Sequence, residues 1–335
     1  MKQNTGFIPE QPKEEDYIAG EATGIDYFVR VMDSNWEQWL PKGELQRKGR
    51  EDTMSCVTFS ALNTLETQLN YMIDKGTIDI DAMNFLYQNG YIEDGKVNLS
   101  DRFIAILSNT SIKGNYLSKV ARTIRHYGVI PEKMLDYPDG LTFEEYHGAE
   151  ITDDMRELGK KFLEHFAIQY EWVIDNLLGH LRQAPLWIAA GVCPGWRTKD
   201  IVPACSKTSG HATMIYNLIN KQYYADFDHY KPYKKKLAPD YIIRSLMKLI
   251  ITMRTEYTEV ETAEAKKYAL ELKDSHTPYF FRPDANGEAY KIEIDGSVKY
   301  LKGKKCPLFD SLIRDKIIFG LSEKDFQKLK PAIVK

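Results

Sequence analysis

Cysteine is scarce in this chain of 335 residues: four thiols, at positions 56, 193, 205 and 306, are too few and too scattered for a disulfide framework. A Cys193–Cys205 bridge is left open by the spacing, but the reducing setting that the rest of the chain implies weighs against it. Single-thiol chemistry is therefore the feature to follow. No C-x-x-C, H-E-x-x-H or G-x-x-x-x-G-K-S/T occurs, and His126, His147, His165, His180 and His276 show no paired metal spacing. Neither zinc nor a phosphate-binding loop is expected, and no metal or cofactor is called for. No run approaches the roughly 18 consecutive apolar residues of a membrane span. The polar first twenty residues, with Pro9 and Pro12, lack the apolar core of a signal peptide, so export by that route is not expected. An excess of one charge is missing as well: 48 acidic against 45 basic residues leave −3, which gives no general attraction to nucleic acid or to an anionic membrane.

What remains is an ordinary globular composition, 43% hydrophobic and 28% charged, in a length that suits roughly two domains. Residues 1–45 read as an amino-terminal arm, the first thirty extended along the surface, or equally disordered, because proline and acid interrupt any apolar period. Phe59, Leu62, Leu65, Leu69 and Met72 then recur at steps of three and four, predicting a five-turn helix with Thr53 or Ser55 as cap. The same period predicts a helix over 116–127, stopped by Gly128, and another over 152–183 through Leu158, Phe162, Phe166, Tyr170, Val173 and Leu177. Short apolar runs at Leu186–Ala190, Ala212–Ile219 and Gln222–Phe227 predict neighbouring strands of one sheet. Beyond Pro239 a charged helical extension is expected over 239–275. A small α+β module follows over 276–335, with a hairpin about Asp295-Gly296 and a last helix at Glu323–Leu329. The expected class is α+β: helices first, an antiparallel sheet second.

Thiol chemistry needs a thiolate, and a cysteine in the first turn of a helix is favoured by the free N–H groups and positive dipole end there. Cys56 occupies that place. A base is required next, and His211 opens the first long strand, where its ring can project from the sheet toward a helix terminus. A third group must hold the imidazole. Asp228 ends the adjoining strand, and antiparallel neighbours joined by a tight turn bring two such positions together.

These residues resemble the papain-like cysteine peptidases over roughly residues 46–238. Ser55-Cys56-Val57-Thr58-Phe59-Ser60-Ala61 is similar to the family's nucleophile motif. Leu99-Ser100-Asp101, Gly128-Val129-Ile130-Pro131-Glu132 and Tyr137-Pro138 resemble landmarks of its helical lobe. Ala184 to Ala189 is similar to the strand entering its sheet lobe, Gly210-His211-Ala212 to its histidine motif, and Tyr223 to Tyr230 to its asparagine segment. The chain departs at Val57, where an aromatic is usual, and at Asp228, where the family has Asn. The resemblance implies a two-lobed fold with Cys56 as nucleophile, His211 as base then acid, Asp228 as orienter and Tyr230 as the aromatic shield. It implies Gln46 as oxyanion donor, with Arg50 its rival. It also implies Gly114 as the residue pairing with the substrate backbone, and Ala189 and Ala212 as walls of a roomy pocket for an apolar side chain.

The expected activity is hydrolysis of peptide or isopeptide bonds in a peptide or protein substrate. Secreted members of the family carry a long inhibitory propeptide and several disulfides. With only about fifty residues ahead of Cys56, this chain is expected to carry neither. Its Asp and its Tyr-x-Pro resemble bacteriophage members, implying a cytoplasmic or virion-associated protein, with the carboxy-terminal module docking onto a virion or other assembly. Two other readings stand beside this one: a catalytically silent binding or structural protein of such an assembly, and an acyltransferase of the transglutaminase type, whose orienter is also Asp. His229 is expected to point away from Asp228 on the opposite strand face. Lys231, Lys234, Lys235 and Lys236 are expected to form a solvated basic surface.

Overall fold

The computed structural model describes residues 6–12, 29–49, 51–205, 210–220 and 222–254, together with the strands at 257–259, 279–281, 289–292 and 298–301. The chain divides into two units, one built from Met1–Ile18 with Val29–Arg254 and the other from Ala19–Phe28 with Thr255–Lys335.

In the first unit, α1 (Cys56–Asp74) is the central element. Sixteen of its nineteen residues are buried, so its many hydroxyl and amide side chains need internal partners. Ser60 Oγ donates to the Cys56 carbonyl at 2.6 Å, Thr64 Oγ1 to that of Ser60 at 2.8 Å and Thr67 Oγ1 to that of Asn63 at 2.7 Å. These bonds to the preceding turn let a polar helix sit inside the protein. Around it lie α2 (Ile80–Asn89), the two-stranded β1 (Ile92–Glu93) and β2 (Lys96–Val97), α3 (Asp101–Leu107), α4 (Leu117–Tyr127), α5 (Phe143–His147) and α6 (Asp153–His165).

The chain then enters the sheet through β3 (Phe166–Trp172), α7 (Leu177–Leu181), β4 (Leu186–Gly191), β5 (Ile201–Val202), β6 (Gly210–Ile219), β7 (Tyr223–Phe227), β8 (Lys234–Leu237) and β9 (Ile243–Met253). The seven strands are ordered β3-β9-β4-β6-β7-β8-β5, antiparallel except for the β5–β8 pair. The architecture is α+β. Among the described residues no helix is long and apolar enough to cross a membrane. In the second unit β10 (Tyr257–Glu259), β11 (Tyr279–Phe281), β12 (Ala289–Ile292) and β13 (Val298–Leu301) form a sheet ordered β10-β13-β12-β11. Strands β12 and β13 pair antiparallel, Ala289 opposite Leu301. The turn at Asp295-Gly296 and the helix expected at Glu323–Leu329 lie outside the described residues.

Two expectations are corrected. The helix expected over 152–183 ends at His165, and Phe166–Trp172 is an edge strand paired with β9. A step of four residues is common to both periods, and Phe166, Ile168, Tyr170 and Trp172 are buried at every second position, as a strand requires. The helix expected after Pro239 is the long strand β9, clamped between β3 and β4. A strand buried on both faces reads as a nearly continuous apolar run, and Leu246, Leu249 and Ile250 fit that description as well as a helical one.

Behind α1, four carboxylates converge. Glu66 Oε1 accepts the Leu99 N–H at 2.7 Å, Glu132 Oε1 accepts the Tyr137 N–H at 2.9 Å, and Glu44 bonds Asp101. Burial first, then the neighbouring Glu44 charge, raises the Glu132 carboxyl from 4.5 to about 8, and Glu66 and Asp101 move the same way. The folded chain thus holds protons that the unfolded chain releases. The resulting stabilisation is complete below pH 4.5 and is lost as pH rises through about 8. Thermal melts of the native protein should show a midpoint several degrees lower at pH 8.5 than at pH 5.5. Glu132→Gln, which cannot ionise, should narrow that gap by raising the alkaline midpoint, and an unchanged gap would refute the assignment.

Candidate active site

Cys56 is the first residue of α1, and the cap residue Ser55 makes no side-chain bond to the helix end. Its sulfur is fully buried. Burial pushes the thiol well above its ordinary range; the N–H groups of Ala212 and Val57 pull it down, while the Asp52 and Asp228 charges push it up. The Ala212 bond ties the sulfur to β6 at the residue next to His211.

His211 pairs across the sheet with Ala190, and its Nε2 lies 2.9 Å from Asp228 Oδ1. Its Nδ1 is buried and bonds to nothing among the described residues. Asp228 follows the last residue of β7 and has no solvent exposure. Its Oδ1 also accepts the His229 N–H at 2.8 Å, and its Oδ2 accepts Trp196 Nε1 at 2.8 Å and Lys235 Nζ at 2.5 Å. Burial alone would raise this carboxyl, but the charge and hydrogen bond of His211, with the charge of Lys235, outweigh it and hold it well below the usual carboxylate range. The arrangement is an ionised acid fixing one nitrogen of an imidazole while leaving the other bare.

Gln46 is also buried here. Its Nε2 donates to Asp52 Oδ1, its backbone N–H to the His229 carbonyl at 3.1 Å, and its Oε1 has no partner among the described residues. An amide nitrogen carries two hydrogens, so one donor of Gln46 remains for another acceptor. Arg50, the rival donor, lies outside the described residues. Tyr230 faces His211 with ring centres 5.5 Å apart, donates its hydroxyl to Asp52 Oδ2, and carries the Arg197 guanidinium 4.2 Å over its face.

Two expectations fail in this region. His229 does not point away: its ring centre is 4.7 Å from that of His211, and its Nε2 is 3.7 Å from Asp228 Oδ1. β7 ends at Phe227, so strand alternation no longer governs position 229. Burial, reinforced by the His211 and Lys235 charges, holds this imidazole well below its ordinary value, hence neutral. Lys235 is no surface residue either. β8 buries Lys235 and Leu237 and exposes Lys234 and Lys236, which turns one lysine of the cluster inward onto Asp228. His211, Asp228 and His229 have ligand atoms within 4.8 Å of one another. The Lys235 ammonium on the same carboxylate opposes a divalent cation there.

Sequence reasoning passed over Asp52 and Trp196. Trp196 stands in the Pro194-Gly195 turn of a loop closed by the Cys193–Cys205 disulfide, Cα–Cα 5.6 Å, and packs edge-on to His211 at 5.7 Å. The bridge disfavoured on composition is thus formed. A tryptophan in a Pro-Gly turn between two cysteines was the available signal. This loop, His211 and Tyr230 line a cavity of about 290 Å³ beside the imidazole.

The amino-terminal segment also reaches the site. Within residues 6–12, Pro9 and Gln11 are exposed, while Gly6 lies against the thiol: a methyl group built on it would come 3.1 Å from Cys56 Sγ. Ile8 N–H donates to the Asn115 carbonyl and Asn115 N–H to the Gly6 carbonyl, both at 2.9 Å, so the segment pairs as a parallel strand beside Gly114. Gly114 has φ of 93°, and a Cβ there would lie 1.9 Å from the Gly6 oxygen, so only glycine admits this neighbour. Phe7 is buried, its ring 2.5 Å from where a Gly210 side chain would begin, in the core cluster that also holds Ala189 and Ala212. The two alanines are paired across β4 and β6 and have no exposure.

No protein-family model and no curated protein matches the sequence. Among solved structures the chain is similar to the bromelain protease of Ananas comosus bound to the E64 inhibitor, at TM-score 0.41 and 14% identity over 66% of this chain and 98% of that one. It is similar to the proform of Amb a 11, a ragweed pollen cysteine protease, at 0.43 and 15% over 71% and 73%. It is similar to the clostridial cysteine protease Cwp84 after propeptide cleavage, at 0.44 and 12% over 67% and 59%. At these identities and scores the functional reading rests on the geometry of the site.

Proposed function

We propose that the protein is a thiol hydrolase that cleaves peptide or isopeptide bonds through an acyl intermediate on Cys56. The observation that carries this reading is the state of His211: Nε2 is held at 2.9 Å by an ionised, four-donor carboxylate, and Nδ1 is left bare on the residue next to Ala212, whose N–H bonds the helix-terminal thiol. Each step uses a group in place. His211 Nδ1 takes the thiol proton as sulfur attacks the carbonyl carbon of a peptide that has replaced the amino-terminal segment. The electron pair of the carbonyl moves to oxygen, where the Cys56 backbone N–H and the spare hydrogen of Gln46 Nε2 would receive it. The amine leaves with the proton from Nδ1, and water, deprotonated by the same nitrogen, hydrolyses the thioester. Asp228 keeps the ring in the tautomer and orientation both half-reactions need. Docking of the carboxy-terminal module onto a phage particle or other assembly rests on the sequence alone.

A second reading, a silent binding protein of the same fold, is favoured by the complete burial of Cys56. The two separate on a peptide library read by mass spectrometry with native protein beside Cys56→Ala. Cleavage by the native chain alone supports the hydrolase. No cleavage by either favours the silent protein, and equal cleavage by both removes Cys56 from the mechanism. Asp228→Asn keeps the shape of the orienter but not its charge. It should lower kcat by roughly 100-fold or more with KM little changed, whereas a parallel loss of KM and kcat would assign Asp228 to substrate binding. Gln46→Ala should lower kcat by about 100-fold if its free hydrogen meets the oxyanion, and within about twofold if it does not.

A further inference from the structure

Residues 6–10 are held in the cleft at three chemically different points. Backbone pairing with Asn115 is indifferent to sequence. The Phe7 ring fills the space left by the missing side chain of Gly210. The third point is a charge. Glu10 Oε1 accepts the Ser118 N–H at 2.8 Å and Oε2 accepts the Ser118 hydroxyl at 2.7 Å, with Arg122 bonded to the same hydroxyl at 3.2 Å. Ser118 is buried, and α4 has no side-chain cap of its own because Tyr116 stands at its cap position. The carboxylate from the arm therefore satisfies one amide donor that the helix leaves open, with the hydroxyl of the same residue, and a positive helix end with an arginine one turn along favours a negative occupant. Ser245 Oγ fixes the Glu10 carbonyl at 3.0 Å and completes the seat.

We infer that this seat is a carboxylate-recognition subsite of the cleft, and that the peptides taken by the protein carry a large apolar or aromatic side chain and, three residues on, an acidic one, in the pattern Phe7-Ile8-Pro9-Glu10. The inference rests on the cleft being the substrate site of the hydrolase proposed above. The arm is then a tethered competitor with the same side-chain chemistry as the ligand. Any peptide that binds must displace it, and one lacking the acid leaves the Ser118 N–H and hydroxyl without their partner. Loss of a hydrogen-bonded charge of this kind corresponds to roughly ten- to a hundredfold in affinity.

The test uses the full chain and a fluorescein-labelled heptapeptide spanning residues 6–12, read by anisotropy. The full chain carrying Phe7→Ala and Glu10→Gln, whose own arm is weakened, should bind the peptide at least tenfold more tightly than the native chain. A second peptide with Gln in place of Glu10 should bind at least tenfold more weakly than the first. Adding Ser118→Ala, which removes the hydroxyl donor and keeps the backbone N–H, should shrink that difference between peptides severalfold. Equal binding of the Glu and Gln peptides overturns the subsite, and equal binding by native and weakened-arm chains overturns the competition. Because Phe7 is a core residue, Glu10→Gln alone serves as a second variant: it keeps the ring and should still bind the Glu peptide several-fold better than the native chain. Binding requires no turnover. Discrimination without cleavage in any variant would sink the hydrolase and keep the subsite, and cleavage without discrimination would do the reverse.

Discussion

An ionised carboxylate sealed from water persists only where donors replace its lost hydration, and Asp228 meets that condition with His211, the His229 N–H, Trp196 and Lys235. Each donor comes from a different stretch of chain. His211 is on β6, Lys235 on β8, and Trp196 on the disulfide-closed loop that lines the cavity. Satisfying one acid therefore fixes the relative positions of two strands and a loop. The imidazole is oriented as a consequence, and the ring nitrogen that stays bare is the one directed away from the carboxylate. The balance of charge is part of the same constraint. Lys235 offsets the acid without touching the ring, and the neutral His229 adds bulk beside it rather than a second cation.

The sulfur is held differently. Among the described residues no cation bonds it, burial drives it toward the neutral thiol, and two acids nearby push in the same direction. In this state the thiol is guarded twice, by the Gly6 backbone over it and by its own protonation. The first guard belongs to the arm, and the second follows from burial of the sulfur. Occlusion and chemical idleness are coupled through desolvation.

Much of this was legible in the sequence. The α1 face from Phe59 to Met72, the neighbouring strands β4, β6 and β7 of one sheet, and the meeting of His211 with Asp228 follow from periodicity and from residue types that chemistry demands. What was not legible shares a physical cause: long-range burial. A spacing of four in Phe162, Phe166 and Tyr170 serves helix and strand alike, and only pairing with β9 decides between them. The β9 apolar run is ambiguous until both faces are known to be covered. Lys235 reads as solvated because lysines usually are, and the alternation of β8 was visible only once β8 was known to be a strand. The Cys193–Cys205 bridge was disfavoured by an argument about compartment, whereas the loop between them brings the Cα atoms within bonding range locally.

The arm follows from the same reasoning carried one step further. An extended segment with Pro9 and Pro12 cannot form a helix and cannot supply the full ladder of a central strand, so it needs a partner that accepts an irregular edge. The cleft offers one: a glycine with no side chain at 114, another at 210 and a helix end without a cap at α4. Each of these vacancies is also what an extended peptide from another molecule would need, since backbone approach, a ring-sized hollow and amide donors do not distinguish a tethered chain from a free one. The features that seat residues 6–10 are therefore ones that the proposed peptide site would also use. The tether decides occupancy by raising the local concentration of one occupant, not by building a site only that occupant can enter.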